Sequence, residues 1–182
     1  MIALAISLLL LCGCSDSRQL EENFNAWRTE FSKNPERQIT ALVTSTQGDA
    51  HSEFTLAYER NNGEETVAVL APELITQIKA HITADGVSLS YDGVVLETGS
   101  TLTEGISPLM ALPLFMDFLE KGYVKSVWLE KNGSYELVAT ELELGDGSRM
   151  TIWQDESDNT PLYAAIRSGE SVQLRIKLTE IT

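Results

Sequence analysis

The chain's two cysteines, Cys12 and Cys14, are the side chains best suited to covalent chemistry, and they lie two residues apart near its start. They follow Met1–Leu11, an apolar run with no charged or turn-forming residue. The run is shorter than the ~20 apolar residues that cross a bilayer as a helix, and it is typical of a signal-peptide core. A thiol directly after such a core predicts attachment to a membrane.

Residues 11–14, LCGC, resemble the bacterial lipobox, in which a small residue precedes a cysteine that receives a diacylglyceryl group. Gly13 is that small residue, so Cys14 is the predicted lipidation site, whereas Leu11 before Cys12 does not fit the pattern. The alternative is a cleaved signal followed by a free cysteine. If Cys14 carries lipid, the folded body has no thiol left for a disulfide, a metal site or a nucleophile.

These features predict a lipoprotein signal peptide over residues 1–13 and a single domain over residues 14–182. We expect the domain to lie outside the cytoplasm, anchored to the cell membrane through the Cys14 lipid. The formal net charge of −14 repels nucleic acid, so we expect no nucleic-acid partner.

The remaining residues that could do chemistry form no recognised catalytic or metal-binding pattern. His51 and His81 lie far apart in sequence, and neither has metal-ligand spacing. The acidic pairs at 64–65 and 155–156 are most simply solvated turns, although two carboxylates at a suitable separation can hydrolyse glycosides. We therefore predict a protein that is not an enzyme and that needs no metal or cofactor.

The segment after the cysteines predicts a helix over residues 16–34. Its apolar residues recur at spacings of four, three and four, which places them on one stripe of a helix: Leu20, Phe24, Trp27 and Phe31. Two interpretations follow. The stripe packs on the domain's own sheet, as aromatic stripes usually do, or it faces a membrane or a partner.

From residue 38 onwards the apolar period changes to two, which indicates β-strands. Short turn signals separate the strands, among them Asp92-Gly93 and Asn132-Gly133. Successive strands joined by short turns predict one antiparallel meander. The predicted strand segments lie near residues 39–43, 54–58, 67–69, 78–83, 87–91, 94–98, 124–131, 135–144, 149–154, 162–167 and 172–181.

A second helical segment, EGISPLMALPLFMDFLEKG, interrupts the meander and is apolar on most of its sides. We expect Pro113 to break it into two pieces, the second of which starts near the proline. The segment is either a lid over an apolar groove or ordinary core, and the sequence leaves both open. The residues of this lid or groove candidate are Leu109, Met110, Leu112, Phe115, Met116, Phe118 and Leu119.

Three stretches, VAVLAPELITQIKAHI, LSYDGVVLETG and GISPLMALPLFMDFLEKGYV, resemble the LolA/LolB-like lipoprotein-carrier superfamily. Within it, they are most similar to the GerS-like spore-germination lipoproteins of Firmicutes. The resemblance implies an α+β fold: a single, strongly curved antiparallel sheet, or incomplete β-barrel, with an N-terminal helix and an inserted apolar lid helix.

The same resemblance implies two functions for a membrane-anchored domain. The first is a non-enzymatic interaction or scaffold domain for an envelope protein such as a cell-wall amidase, in cell-wall or spore-cortex processing. The alternative is an acceptor or carrier that binds a lipid, a lipoprotein or an acyl chain on the concave face of the sheet. Two acyl chains on Cys14 would hold the chain on its bilayer, which favours the first function because an anchored domain does not shuttle between membranes.

Overall fold

The computed structural model describes residues 13–47, 50–83, 85–99, 107–133, 135–169 and 171–182. Residues 1–12 of the predicted signal peptide (residues 1–13), including Cys12, lie outside this range. The described part of the chain contains two α-helices, α1 (Gly13–Phe31) and α2 (Ala111–Lys121). It also contains two short 3-10 turns, Glu73–Ile75 and Pro108–Met110.

The strands form one antiparallel sheet of 11 strands in the order β6-β5-β4-β3-β2-β1-β11-β10-β9-β8-β7. Strands that are consecutive in the chain pair with each other, except β6 and β7, which are the two edges of the sheet, and β1 also pairs with β11. The sheet is curved and open, which confirms the predicted fold class. Its strands are β1 Arg37–Gln47, β2 Ala50–Asn61, β3 Glu64–Ala71, β4 Lys79–Thr83, β5 Gly86–Tyr91, β6 Val94–Gly99, β7 Tyr123–Asn132, β8 Tyr135–Glu143, β9 Arg149–Asp155, β10 Pro161–Ser168 and β11 Ser171–Ile181.

One face of the sheet, which we call the inner face, carries the core. Alternate residues of each strand point to it, because successive side chains of a strand point to opposite sides. On β1 these residues are Ile39, Ala41 and Val43, and all three are buried. Both helices contribute apolar side chains to the same buried cluster. We call the opposite side of the sheet the outer face.

Candidate functional site

Helix α2 fills part of the inner face with its own side chains. Leu112, Phe115 and Phe118 have no exposed surface, and Met116 and Leu119 are 2% exposed. The helix contacts β8 and β10, while the 3-10 turn before it contacts β1 and β3. The other two residues of the lid candidate, Leu109 and Met110, lie in that turn and are half-buried. Six of the seven predicted residues therefore belong to the buried cluster or pack against it, and Met110 does not.

The helical segment consists of two pieces, and the second begins near Pro113, as the sequence predicts. The segment changes from a 3-10 turn to an α-helix at Ala111, and Pro113 lies in the first turn of α2. The first turn tolerates proline because backbone N–H groups there have no partner within the helix. The proline therefore lies near the start of the second piece, α2.

The end of α2 is joined to the sheet by a charged cluster. The guanidinium of Arg60 on β2 donates two hydrogen bonds to Glu65 on β3, at 2.6 and 2.9 Å, and one to Glu120 on α2. Burial lowers the pKa of Arg60, but the hydrogen bonds to Glu120 and Glu65 outweigh it and raise the pKa above its ordinary value. The cation therefore stays charged and connects α2 to two strands.

The aromatic stripe of α1 also lies against the sheet. Phe24 is fully buried, and Trp27 and Phe31 are partly buried against the same cluster. The Trp27 and Phe31 rings stack with their centroids 5.1 Å apart. Leu20 is half-buried and is not part of this core. Three of the four stripe residues thus face the domain's own core.

Two cations hold the end of α1 in place. The Arg28 guanidinium donates a 2.7 Å hydrogen bond to the backbone carbonyl of Gly122, just before β7. The Arg37 guanidinium lies 4.0 Å from the centre of the Phe31 ring, a cation–π geometry. The helix was expected to extend to residue 34 but ends at Phe31, and Asn34 precedes a proline, where helical geometry is disfavoured.

The predicted lipidation site lies at the start of α1. The backbone of Cys14 is in the first turn of this helix, so few residues would separate a lipid on Cys14 from the folded body. In the described part of the chain, no helix combines the length and apolar character needed to span a bilayer.

The residues that could have suggested catalysis are dispersed. His51 and His81 are exposed on β2 and β4. Glu65 is bound by Arg60, and the Asp155 carboxylate accepts two hydrogen bonds from Ser157 within a turn. Those bonds lower the pKa of Asp155 below its usual value. Among the described residues, no group of three or more His, Cys, Asp or Glu side chains is placed to hold a metal ion.

An open groove of about 420 Å³ lies on the outer face of the sheet, between side chains of β1 and β7 to β11. Trp153 and Tyr163 form its aromatic wall, and Leu42 and Leu137 add aliphatic surface. Trp153 and Tyr163 are direct cross-strand partners, and Tyr163 is 38% exposed. Ala165, which lies opposite Arg175 of β11, also lines the groove, and its small side chain takes up little space there.

Charged side chains also line this groove. The Trp153 indole N–H donates a 2.8 Å hydrogen bond to the Glu130 carboxylate, which holds the indole in one orientation. Arg175 and Lys177, two residues apart on β11, are exposed at the groove. Neither makes a hydrogen bond or an ion pair with another residue in the part of the chain that the structure describes. The groove thus combines aromatic surface with two unpaired cations.

This groove was not predicted from the sequence, although the sequence carries a signal for it. Trp153 follows the inner-face residue Ile152, and Tyr163 precedes the inner-face residue Ala164, so strand alternation alone places both aromatic rings on the outer face. Large aromatic residues at positions normally occupied by polar side chains indicate a surface with a binding role.

The fold has solved relatives. The chain is similar to a protein domain assigned to outer membrane lipoprotein sorting, from Vibrio parahaemolyticus, with 12% identity, 90% and 92% of the two chains covered and a TM-score of 0.54. It is also similar to LprF from Mycobacterium bovis, with 10% identity, 91% and 93% coverage and a TM-score of 0.51. Its fold is the fold of these two proteins. A LolA superfamily protein from Nitrosomonas europaea matches with 9% identity, 81% and 85% coverage and a TM-score of 0.46.

At these identities the likeness extends to the fold alone. No protein-family model matches the sequence, and no curated protein matches it either. The predicted α+β fold with one curved, open antiparallel sheet is thus confirmed, whereas the resemblance to the lipoprotein carriers and to germination lipoproteins remains a prediction.

Proposed function

We propose that the protein is an envelope lipoprotein, anchored outside the cytoplasm through Cys14, whose domain binds partners without enzymatic activity. Within this proposal the sheet is a rigid platform held close to the bilayer, and function depends on what its exposed surfaces bind. An envelope protein such as a cell-wall amidase is the class of partner that the resemblance to germination lipoproteins favours.

The packing of α2 is the observation that carries this proposal. In a carrier that stores an acyl chain on the inner face, the chain must compete with the side chains already there. Phe115 and Phe118 occupy that space with no exposed surface, and the Arg60 cluster joins the end of the helix to two strands. Opening the inner face would expose several large apolar side chains at ~1.5–3 kcal/mol each. A permanently closed platform therefore fits better than a carrier.

A lipid- or lipoprotein-binding acceptor is the second candidate. The support for it is the fold, since the similar domain from Vibrio parahaemolyticus is assigned to lipoprotein sorting. In this alternative α2 opens as a lid and an acyl chain replaces its apolar side chains. The two candidates differ in one observable property, which is whether the intact chain retains a non-covalent lipid.

The anchor is tested by changing Cys14→Ala in cells that receive a clickable fatty acid. We expect the wild-type chain to be labelled and to fractionate with membranes, and the variant to lose both properties while keeping its fold. The fold should persist because Cys14 lies at the start of α1, ten residues before the first buried residue of the stripe, Phe24.

The neighbouring substitution Cys12→Ala is the matched control, because it removes the other thiol and leaves the Gly13-Cys14 step intact. It should keep both the label and the membrane fraction. Fatty-acid label that persists in the Cys14→Ala variant would contradict the proposed anchor.

A further inference from the structure

The outer-face groove is built on one cross-strand row of the sheet. Pairing places Trp153 opposite Tyr163, Tyr163 opposite Lys177, and Lys177 opposite Leu42. Directly paired side chains on one face of a sheet lie ~4.5–5.5 Å apart at their Cβ atoms. Two aromatic rings, a cation and an aliphatic side chain therefore follow one another in a line across four strands.

The charged side chains of the groove sum to the opposite sign from the net charge of the chain. The whole chain carries a net charge of −14, yet Arg175 and Lys177 bring two positive charges to the groove, against one negative charge from Glu130. Glu130 accepts the hydrogen bond from the Trp153 indole, whereas both cations are unpaired among the described residues. The groove is thus complementary to an anion bound beside an aromatic wall.

The strands beneath the groove argue against an extended peptide as the ligand. A peptide that adds to a sheet gains main-chain hydrogen bonds at an edge strand. The edges here are β6 and β7, whereas β1, β11, β10 and β9 are interior strands that pair on both sides. A peptide over this groove would find no free backbone groups to bind.

An acyl chain is also a poor match. It would fill the aliphatic part of the groove but leave the charges of Arg175, Lys177 and Glu130 beside hydrocarbon. A compact ring with polar edges can make favourable contacts with more of the side chains that line the groove. Its apolar face can stack on an aromatic ring, and its hydroxyl groups can donate to Glu130 or bind Thr44. The volume lies in the range of small-ligand sites.

We propose that this groove binds an acidic saccharide. The sugar ring stacks on Trp153 and Tyr163, and a carboxylate or phosphate on the ring pairs with Arg175 and Lys177. The groove lies on the face of the sheet opposite to α2, so the inference goes beyond the proposed function and does not depend on the anchor at Cys14.

Calorimetric titration of the purified full chain with two matched sugars tests the proposal. N-acetylmuramic acid carries a lactyl carboxylate that N-acetylglucosamine lacks, and the two share the same ring. We expect saturable binding of the acid, at least about tenfold tighter than binding of the neutral sugar, because a hydrogen bond to a charged group adds this much discrimination. We expect the acid to quench the tryptophan fluorescence of the unmodified chain but not that of the Trp153→Phe variant. This difference would place the sugar at the aromatic wall.

The exposed cations provide the variants. Arg175→Gln and Lys177→Gln should each weaken binding of the acid about tenfold and leave the neutral sugar unchanged. Arg18→Gln and Lys33→Gln remove the same charge from exposed positions on and just after α1, and they should not change the affinity. These controls separate a local site from an effect of net charge.

Three results would overturn the proposal. The first is no binding of either sugar by the folded chain, and the second is equal affinity for both. The third is binding of a glutamate-rich peptide, instead of the acidic sugar, with the same sensitivity to Lys177→Gln. That outcome would assign the groove to an acidic protein partner.

Discussion

Replacing Phe115 by alanine is expected to lower the free energy of unfolding by about 3–5 kcal/mol, the range for deleting a fully buried phenylalanine. Phe115 has no exposed surface and belongs to the cluster between α2 and the sheet. Its removal leaves a cavity that rigid strands cannot close. Urea denaturation followed by circular dichroism measures the change.

Leu74→Ala is the matched control, since Leu74 is 91% exposed and its truncation should leave the denaturation midpoint nearly unchanged. The Phe115 variant should also fail to bind a fluorescent fatty acid. A variant with a nearly normal midpoint that binds such a probe saturably would identify α2 as a movable lid.

Replacing Phe24 by alanine is expected to cost a similar ~3–5 kcal/mol, because it is the one residue of the α1 stripe that is fully buried. Its ring centroid lies 5.8 Å from that of Trp27, so the substitution also removes support for the Trp27–Phe31 stack. Thermal and urea denaturation of the full chain would measure the loss.

Leu20→Ala, on the same stripe but outside the core, should cost much less than Phe24→Ala, and Trp27→Ala should fall between them. The order of the three losses is therefore diagnostic. Equal and small losses at Phe24 and Leu20 would mean that α1 is not docked on the sheet in solution, and they would favour a helix that faces a membrane or a partner.

The strands could be predicted because their signals are local. Alternation on β1 and the turn between β5 and β6 illustrate this. Asp92 and Gly93 have positive φ values of 48° and 79°, which suit a two-residue hairpin turn, and Asp-Gly is a preferred sequence for it. Each strand shows its own alternation of apolar residues and is followed by its own turn signal, so the order of the strands in the meander can be predicted from the sequence.

The candidate sites could be predicted only in part, because they depend on contacts between distant segments. The apolar character of α2 was evident, but lid and core differ only in how the helix packs against β8 and β10. The groove requires the register that places Tyr163 beside Lys177 and Lys177 beside Leu42. The alternation of residues along a strand predicts which face of the sheet each side chain lies on. It does not predict which residues of neighbouring strands are paired, which is known only from the folded sheet.

Native mass spectrometry of the full chain purified from its own membrane tests the account most directly. An anchored platform with a packed inner face predicts the mass of the chain from Cys14 onwards plus one covalent diacylglyceryl modification, with no non-covalent lipid retained. A stoichiometric fatty acid or phospholipid that stays bound without a covalent link, and that is released on unfolding, would contradict it and support the carrier alternative.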